Sequence, residues 1–379
     1  MKPVTDAPRV AIAGGGIIGL SCAFALAQAG ARVSLFERGE FGGAASGAAA
    51  GMLAPNAEAV QDGAEAAVAA FCRHSLTLWP DFAARIEKLS GESLPLSWSG
   101  SLIVTDTAEE AADMAEAARA GGGKAEALDR EGLLARQAGL GEEAGHGVWL
   151  PEEGHVDPRA AVSALVAALR AMDVEIVENA SVRGVETRRG ALRALRVEHD
   201  GATRSVACDA AVIASGIEPA LAGSCPALRL LYPVKGQMLA LDGAGVALSR
   251  VVRGGAYLIP RADGEIWVGA SSEHGAADMK LQDSVIRRLR RAAERLVPAL
   301  ADAAELRRWA GLRPGTRDSL PLIGADGPEG VFLAAGHYRN GVLAAPATAE
   351  AITAMILEGE TPELAAPFAP ARTSALTRV

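Results

Sequence analysis

The chain has 379 residues, half of them apolar, with 43 glycines and a formal net charge of −9. That length suits about two hydrophobic cores rather than one, and the apolar share excludes disorder as the general state. The negative charge excludes a whole-chain partnership with nucleic acid or an anionic membrane, because phosphate contacts need surplus Lys and Arg; a small molecule is the expected partner.

From the N-terminus, Val10 to Ala31 carries no charge over 22 residues, the pattern of a signal-peptide core or a membrane span. Gly14, Gly15 and Gly16 interrupt the run, and each glycine inside a helix would cost about 1 kcal/mol relative to alanine. A strand, turn and helix are predicted instead, with no membrane span. Arg9 to Ala13 reads as a buried strand; Ile17, Ile18, Leu20, Phe24 and Leu26 recur at helical spacing, and Gly30 supplies the stop. Arg32 to Phe36 is the second strand of a βαβ unit, which implies a parallel sheet.

Gly14-x-Gly16-x-x-Gly19 follows the first strand and opens the helix, so its backbone can approach a pyrophosphate held at the helix N-terminus. Glu37 ends the second strand 18 residues after Gly19. A carboxylate there can accept from both ribose hydroxyls and would repel a 2′-phosphate, which disfavours NADP and leaves NAD and FAD. The next segment, Gly42 to Gly51, is almost free of side-chain bulk; a long flat cofactor can lie against it, and its alanines make it stiffer than a Gly/Ser tether.

Thr107 with Glu110 forms a capping box for a helix running to about Ala120, closed by Gly121 to Gly123. Asp157 and Pro158 start another. Val182 to Glu186 and Ala191 to Glu198 read as strands joined near Arg189 and Gly190, and Ala210 to Ala214 as a short apolar strand. Between about Arg229 and Arg307 the pattern changes. Gly236 to Leu241, Ala256 to Pro260 and Glu265 to Ala270 read as antiparallel strands, the last two joined through Asp263 and Gly264. The helix Asp283 to Leu296 carries five arginines, but Ile286, Leu289, Ala293 and Leu296 form one buried stripe, so a solvated basic face is predicted rather than a nucleic-acid site. Cys22, Cys72, Cys208 and Cys225 show neither paired nor ligand-like spacing, so no metal and no disulfide is expected, and a reducing, cytoplasmic setting fits.

Several separated blocks, GGGIIGL, ER, AASGAAAGMLAP, VIASG, VKGQML, YLIPR, GLRPGTRDSLPLIG and GHYRNGVLAAPAT, resemble the D-amino acid oxidase superfamily of FAD enzymes, and within it the glycine oxidases of thiamine biosynthesis. The resemblance implies an α/β, two-domain fold, with a Rossmann-type FAD-binding domain and an interleaved antiparallel-sheet substrate domain. The expected division is 1–90, 155–228 and 308–379 for FAD, and 91–154 and 229–307 for substrate. It implies cofactor contacts at Gly14, Gly16, Ile17, Ile18, Gly19, Glu37, Arg38, Ala45, Ser46, Ala48, Gly51, Met52, Val182, Ser215, Gly216, His337, Arg339, Asn340, Gly341, Val342 and Leu343. Within that set Ser46 and its neighbours would bind the pyrophosphate, Ala48, Gly51 and Met52 would flank the flavin, and the Val182 backbone would meet the adenine. The covalent cysteine of sarcosine oxidase-type relatives has no counterpart, since Cys225 is the last cysteine and lies outside the matching block, so noncovalent FAD is expected.

Oxidising an α-amino acid with flavin requires the Cα–H to be aimed at flavin N5, and the substrate carboxylate is the natural handle. Arginine is its natural partner, through bidentate charge-assisted bonds. The resemblance assigns this role to Arg313, with Tyr257 assisting and Arg339 as a third member. The expected reaction is oxidative deamination of glycine or another small amino acid or amine to an imine, with oxygen as electron acceptor; a homo-oligomer is implied by the family alone. A D-amino acid dehydrogenase, a sarcosine oxidase-like enzyme and a noncatalytic flavin-bearing subunit are the alternatives. His337 is read as a structural neighbour of the flavin, since a neutral amine needs no protein base. Gly341 ahead of a helix would aim free amides at the flavin C2 carbonyl, with Pro346 either in that helix's first turn or kinking it. Gly255 and Ser272 stand where the family has a histidine and a methionine, which puts pocket shape in question.

Overall fold

The structure, a computed structural model, describes residues 7–375. The βαβ start forms as predicted: strand Arg9–Ala13, helix α1 (Ile17–Gln28) and strand Arg32–Phe36. They build a six-stranded sheet in the order Leu322–Ala325, Val331–Ala335, Ala210–Ile213, Arg9–Ala13, Arg32–Phe36, Glu175–Val177. All neighbours pair in parallel except the first two. The charge-free run is thereby explained: Val10 and Ile12 face a helical layer while Ala11 and Ala13 face a second core, and a strand covered on both sides reads as continuously apolar. No helix among the described residues is long and apolar enough to cross a membrane.

The helical layer contains α1, α3 (Ala66–Ser90), α5 (Pro158–Ala171) and α7 (Ala345–Leu357), with α2 (Pro55–Asp62) packed beside α3. The opposite face is covered by a three-stranded antiparallel meander of Ala180–Arg188, Ala191–His199 and Ala202–Ala207. The two predicted caps are present. Thr107 Oγ1 accepts from the Glu110 amide at 3.1 Å to open α4 (Ala108–Ala120), and Asp157 Oδ1 accepts from the Arg159 amide at 2.8 Å to open α5.

A second, nine-stranded sheet takes Ser101–Thr105, Glu126–Asp129 and His146–Leu150 from one part of the chain and Leu231–Asp242, Val251–Arg253, Tyr257–Pro260, Glu265–Gly269, Glu273–His274 and Glu305–Thr316 from another. The two parts join where Val251–Arg253 runs parallel to Ser101–Ile103. Helix α6 (Asp283–Leu296) covers one face through Ile286, Leu289, Ala293 and Leu296, leaving Arg287, Arg288, Arg291 and Arg295 exposed. Glu305–Thr316 pairs with Leu231–Asp242 along its length, so 307/308 falls inside one strand of the second sheet. The sheet's other face carries Met238, Tyr257, Ile259 and Trp267 against Ala50 and Met52, and this contact between the two halves of the molecule forms the cleft described next.

Candidate active site

The first sheet ends at a glycine turn. Gly14 has φ +112°, a conformation that only glycine adopts readily, and the first turn of α1 begins three residues later. Glu37 does not stand free beside it. Its Oε2 accepts from the Gly15 amide at 2.7 Å and its Oε1 from the Gly39 amide at 2.9 Å, so the carboxylate ties the glycine turn to the second strand while further lone pairs stay open. Ser46 Oγ accepts from the Ile17 amide at 2.9 Å, leaving its own proton to donate.

The small-residue segment is a braced wall. Arg159 Nε donates to the Gly47 carbonyl at 3.0 Å, Trp309 Nε1 to the Ala48 carbonyl at 3.1 Å, and Arg261 Nη2 to the Ala50 carbonyl. Arg261 is itself stacked on Trp267, 3.9 Å from the ring centroid, and burial pulls its pKa down to about 10. Carbonyls of residues 47, 48 and 50 are thus pinned by side chains from three other parts of the chain.

An elongated cleft of about 1360 Å³, its open mouth included, runs along this wall. Gly16, Ile17, Ile18, Glu37, Arg38, Ala45, Ser46, Ala48, Gly51 and Met52 line it from the first sheet's side, with Ser215, Gly216 and His337 to Val342 above; Met238, Tyr257 and Arg313 close it from the second sheet. A smaller hollow of about 430 Å³ adjoins it through Glu37, Arg38 and Ser215 and contains Gly14 and Val182. Gly19 and Leu343 line neither hollow. Gly19 is buried beneath the turn, and Leu343 lies in the helical core, its carbonyl accepting from Ser75 Oγ at 2.6 Å and Trp79 Nε1 at 3.1 Å.

Where the second sheet closes the cleft, Arg313 Nη1 donates to the Ser271 carbonyl at 3.1 Å. Tyr257 is buried, its hydroxyl 3.6 Å from Met238 Sδ, and burial raises its pKa against the pull of Arg313 and then Arg339. Arg339 reaches the cleft but is held, its Nε 3.2 Å from Glu58 Oε2, while Glu58 Oε1 is 3.0 Å from Arg253 Nη2. Glu58 was not legible in the sequence: it is one acidic residue in the first turn of α2, and only the fold brings it to two arginines. Tyr338, also unforeseen, takes φ +50° and its hydroxyl lies 3.0 Å from Ser272 Oγ. Ser272 thus touches the cleft's edge, whereas Gly255 packs against Ala292 and Arg295 of α6 and does not shape the pocket.

His337 Nε2 lies 3.0 Å from Thr348 Oγ1, and burial holds its pKa near 4, so the ring is neutral at working pH. Pro346 sits in the first turn of α7, not at a kink. Among the described residues, the Gly341 and Val342 amides, which belong to the cleft wall, have no hydrogen-bond partner.

Helix α2, which carries Glu58, is anchored by Glu153: its Oε1 accepts from the Ala57 amide at 2.8 Å and its Oε2 from Ser101. Burial pushes this carboxyl up to about 7 from its usual 4.5. The folded value lies above the unfolded one, so the stability of the neutral form is complete below about pH 4.5 and is lost as pH rises to about 7. Glu153→Gln, which cannot ionise, is therefore expected to gain on the wild type across that window, by up to a few kcal/mol on its alkaline side. Denaturant midpoints from about pH 5 to about pH 8 check this; parallel pH profiles for the two proteins would show that Glu153 does not titrate there.

The residues fit a long, anionic dinucleotide. Two hollows join at Glu37 and Ser215, Ser215 Oγ is buried without a partner, unpartnered amides lie at 341 and 342, and a helix N-terminus stands where a pyrophosphate would cross. A family model described as FAD dependent oxidoreductase, the DAO family, matches residues 9–355. The chain belongs to this family of FAD-dependent oxidoreductases. It is 37% identical over 371 residues to the bifunctional protein ThiO/ThiG of Synechocystis sp., covering 96% of this chain and 54% of the relative, so it spans about half of that protein's length. It is 32% identical over 373 residues to the glycine oxidase of Geobacillus kaustophilus, covering 95% of each. The crystal structure of glycine oxidase from the same organism superposes with a TM-score of 0.85 at 30% identity, covering 96% of this chain and 98% of the other.

Proposed function

We propose that this family member binds FAD noncovalently and oxidises glycine, or another small amino acid or amine, in the setting of thiamine biosynthesis. The observation that carries the reading is the meeting of Arg313 and Tyr257 at the end of the cleft that the Rossmann-type sheet opens. Arg313 offers its planar fork to the substrate carboxylate, and Tyr257 completes the contact in a buried setting where charge-assisted bonds are strong. Arg339, held by Glu58, borders the same space and adds positive potential there. Ser46, Ser215 and the amides of Gly341 and Val342 would hold the cofactor, with Glu37 at its ribose and Val182 at the adenine end; bound FAD supplies a two-electron acceptor. The substrate loses a hydride from Cα and a proton from nitrogen to become an imine, water releases the oxo acid and ammonia, and oxygen takes the two electrons and two protons as hydrogen peroxide.

Noncovalent attachment is supported by the cleft lining, in which no cysteine takes part, and by His337 being engaged with Thr348. Acid precipitation of the purified yellow protein should leave flavin in the supernatant; flavin retained in the pellet would overturn noncovalent binding. The function itself is tested by adding glycine, sarcosine and D-alanine anaerobically and following flavin absorbance, then admitting air and measuring peroxide. Bleaching by none of them would favour a noncatalytic flavin-bearing subunit, and bleaching without peroxide a dehydrogenase.

A further inference from the structure

The two clamp residues lie on glycines. Strands Leu231–Asp242 and Glu305–Thr316 are antiparallel partners, and at one register position both residues are glycine: Gly236 faces Gly311. A Cβ on Gly236 would stand 2.4 Å from Arg313 Nη2, 2.5 Å from Nη1 and 2.6 Å from Cζ, so the guanidinium lies flat across bare backbone. A Cβ on Gly311 would stand 2.5 Å from Ala48 Cβ in the braced cofactor wall. In the neighbouring pair of strands, Gly269 faces Tyr257, and its Cβ would stand 2.5 Å from Cε2, Cζ and Oη of that ring. All seven of these contacts fall below any ordinary carbon contact, and those at 236 and 269 meet the functional end of the side chain rather than its stem.

We propose that Gly236 and Gly269 are positioning residues that seat Arg313 and Tyr257 at the carboxylate-binding end of the cleft, and so set the affinity for carboxylate-bearing substrates. A larger residue at 236 lifts the guanidinium off the strand and turns its fork away from the Ser271 carbonyl; one at 269 displaces the phenol toward the substrate space. Orientation, not charge, is what is lost, because both side chains remain present.

The inference rests on the clamp reading above, and acetate, a carboxylate with no oxidisable amine, separates the two. Acetate is titrated into the FAD-loaded protein and followed by the perturbation of flavin absorbance, with flavin content and melting temperature recorded for each variant. Gly236→Ala is expected to keep its flavin and weaken acetate binding at least tenfold, as is Gly269→Ala. In the Arg313→Ala background, Gly236→Ala should weaken binding no further, and the same holds for Gly269→Ala in Tyr257→Ala. Acetate affinity within twofold of wild type in flavin-loaded Gly236→Ala, or an equal loss in both backgrounds, overturns the seat. Should Gly236→Ala alone fail to fold, recovery of a folded holoprotein in Arg313→Ala/Gly236→Ala supports it and failure of the double variant overturns it. If Arg313→Ala itself binds acetate normally, the clamp reading falls, while the coupling of melting temperatures between positions 236 and 313 still decides the seat.

Discussion

Arg313→Lys is expected to lower kcat/KM for glycine by roughly tenfold to a thousandfold while the protein keeps its flavin. Lysine retains the charge but loses the planar fork. In this site the loss is compounded, because Arg313 already gives one N–H to the Ser271 carbonyl at 3.1 Å, and an ammonium cannot hold that anchor and present two parallel donors to a carboxylate. Losing one charge-assisted bond of about 1.5 kcal/mol gives the lower end of that range, and losing two of about 2 kcal/mol each gives the upper end. A simple amine without a carboxylate never used the fork, so its turnover should fall much less. Steady-state kinetics on glycine and on such an amine check this. Near wild-type oxidation of glycine, or an equal fall for both substrates, would remove Arg313 from its assigned role.

Gly19→Ala is expected to yield a protein that no longer retains FAD. A Cβ there would stand 1.9 Å from the Gly14 carbonyl oxygen. That oxygen is backbone, in the turn that opens the cofactor cleft, so helix α1 must move away from the first strand. Overpacking of this kind costs about 1 to 3 kcal/mol of stability, and a similar penalty on binding corresponds to roughly a tenfold to hundredfold loss of affinity. Flavin-to-protein absorbance ratios and a melting curve measure both effects. Gly223→Ala serves as the control, since nothing lies within 4 Å of its added carbon. A yellow, normally stable Gly19→Ala protein would show that the contact relaxes at little cost.

The parts of this molecule that were legible in the sequence are those whose cause is local. The glycine turn, Glu37, the Thr107 and Asp157 caps and the apolar stripe of α6 each state their geometry within a few residues. Helix α3 is 25 residues long and was not legible: Glu65 supplies no side-chain cap, and Pro80 within it reads as a breaker although the helix continues past. Strand Glu305–Thr316 runs through 307/308 although Glu305, Arg307 and Arg308 at its start are polar; what makes it one strand is the partner Leu231–Asp242. In the site, Arg313 and Tyr257 were reached through the resemblance and the small-residue wall through its composition, whereas Glu58, Arg159, Arg261 and Trp309 were reached by neither. The last three act on carbonyls of the 47–50 segment from more than a hundred residues away, and no pattern along the chain encodes such a bond. Gly255, which stands where the family has a histidine, lies in the turn between Val251–Arg253 and Tyr257–Pro260 and faces Ala292 and Arg295 of α6 rather than the cleft.

The strand order of the first sheet also dictates a sequence of events at the ribosome. Arg9–Ala13 has Arg32–Phe36 on one side from the start, but its other neighbour is Ala210–Ile213, and the strand beyond that is Val331–Ala335. At ordinary elongation rates of about 5–20 residues per second, roughly ten to forty seconds separate emergence of the second strand from that of the third. For that interval the nascent chain shows one unpaired edge of an almost wholly apolar strand, an invitation to association with other chains. Because both sheets are assembled from distant segments, neither half of the molecule can close early to shelter it. The order of strands along the chain thus leaves this edge open until Ala210–Ile213 has been made.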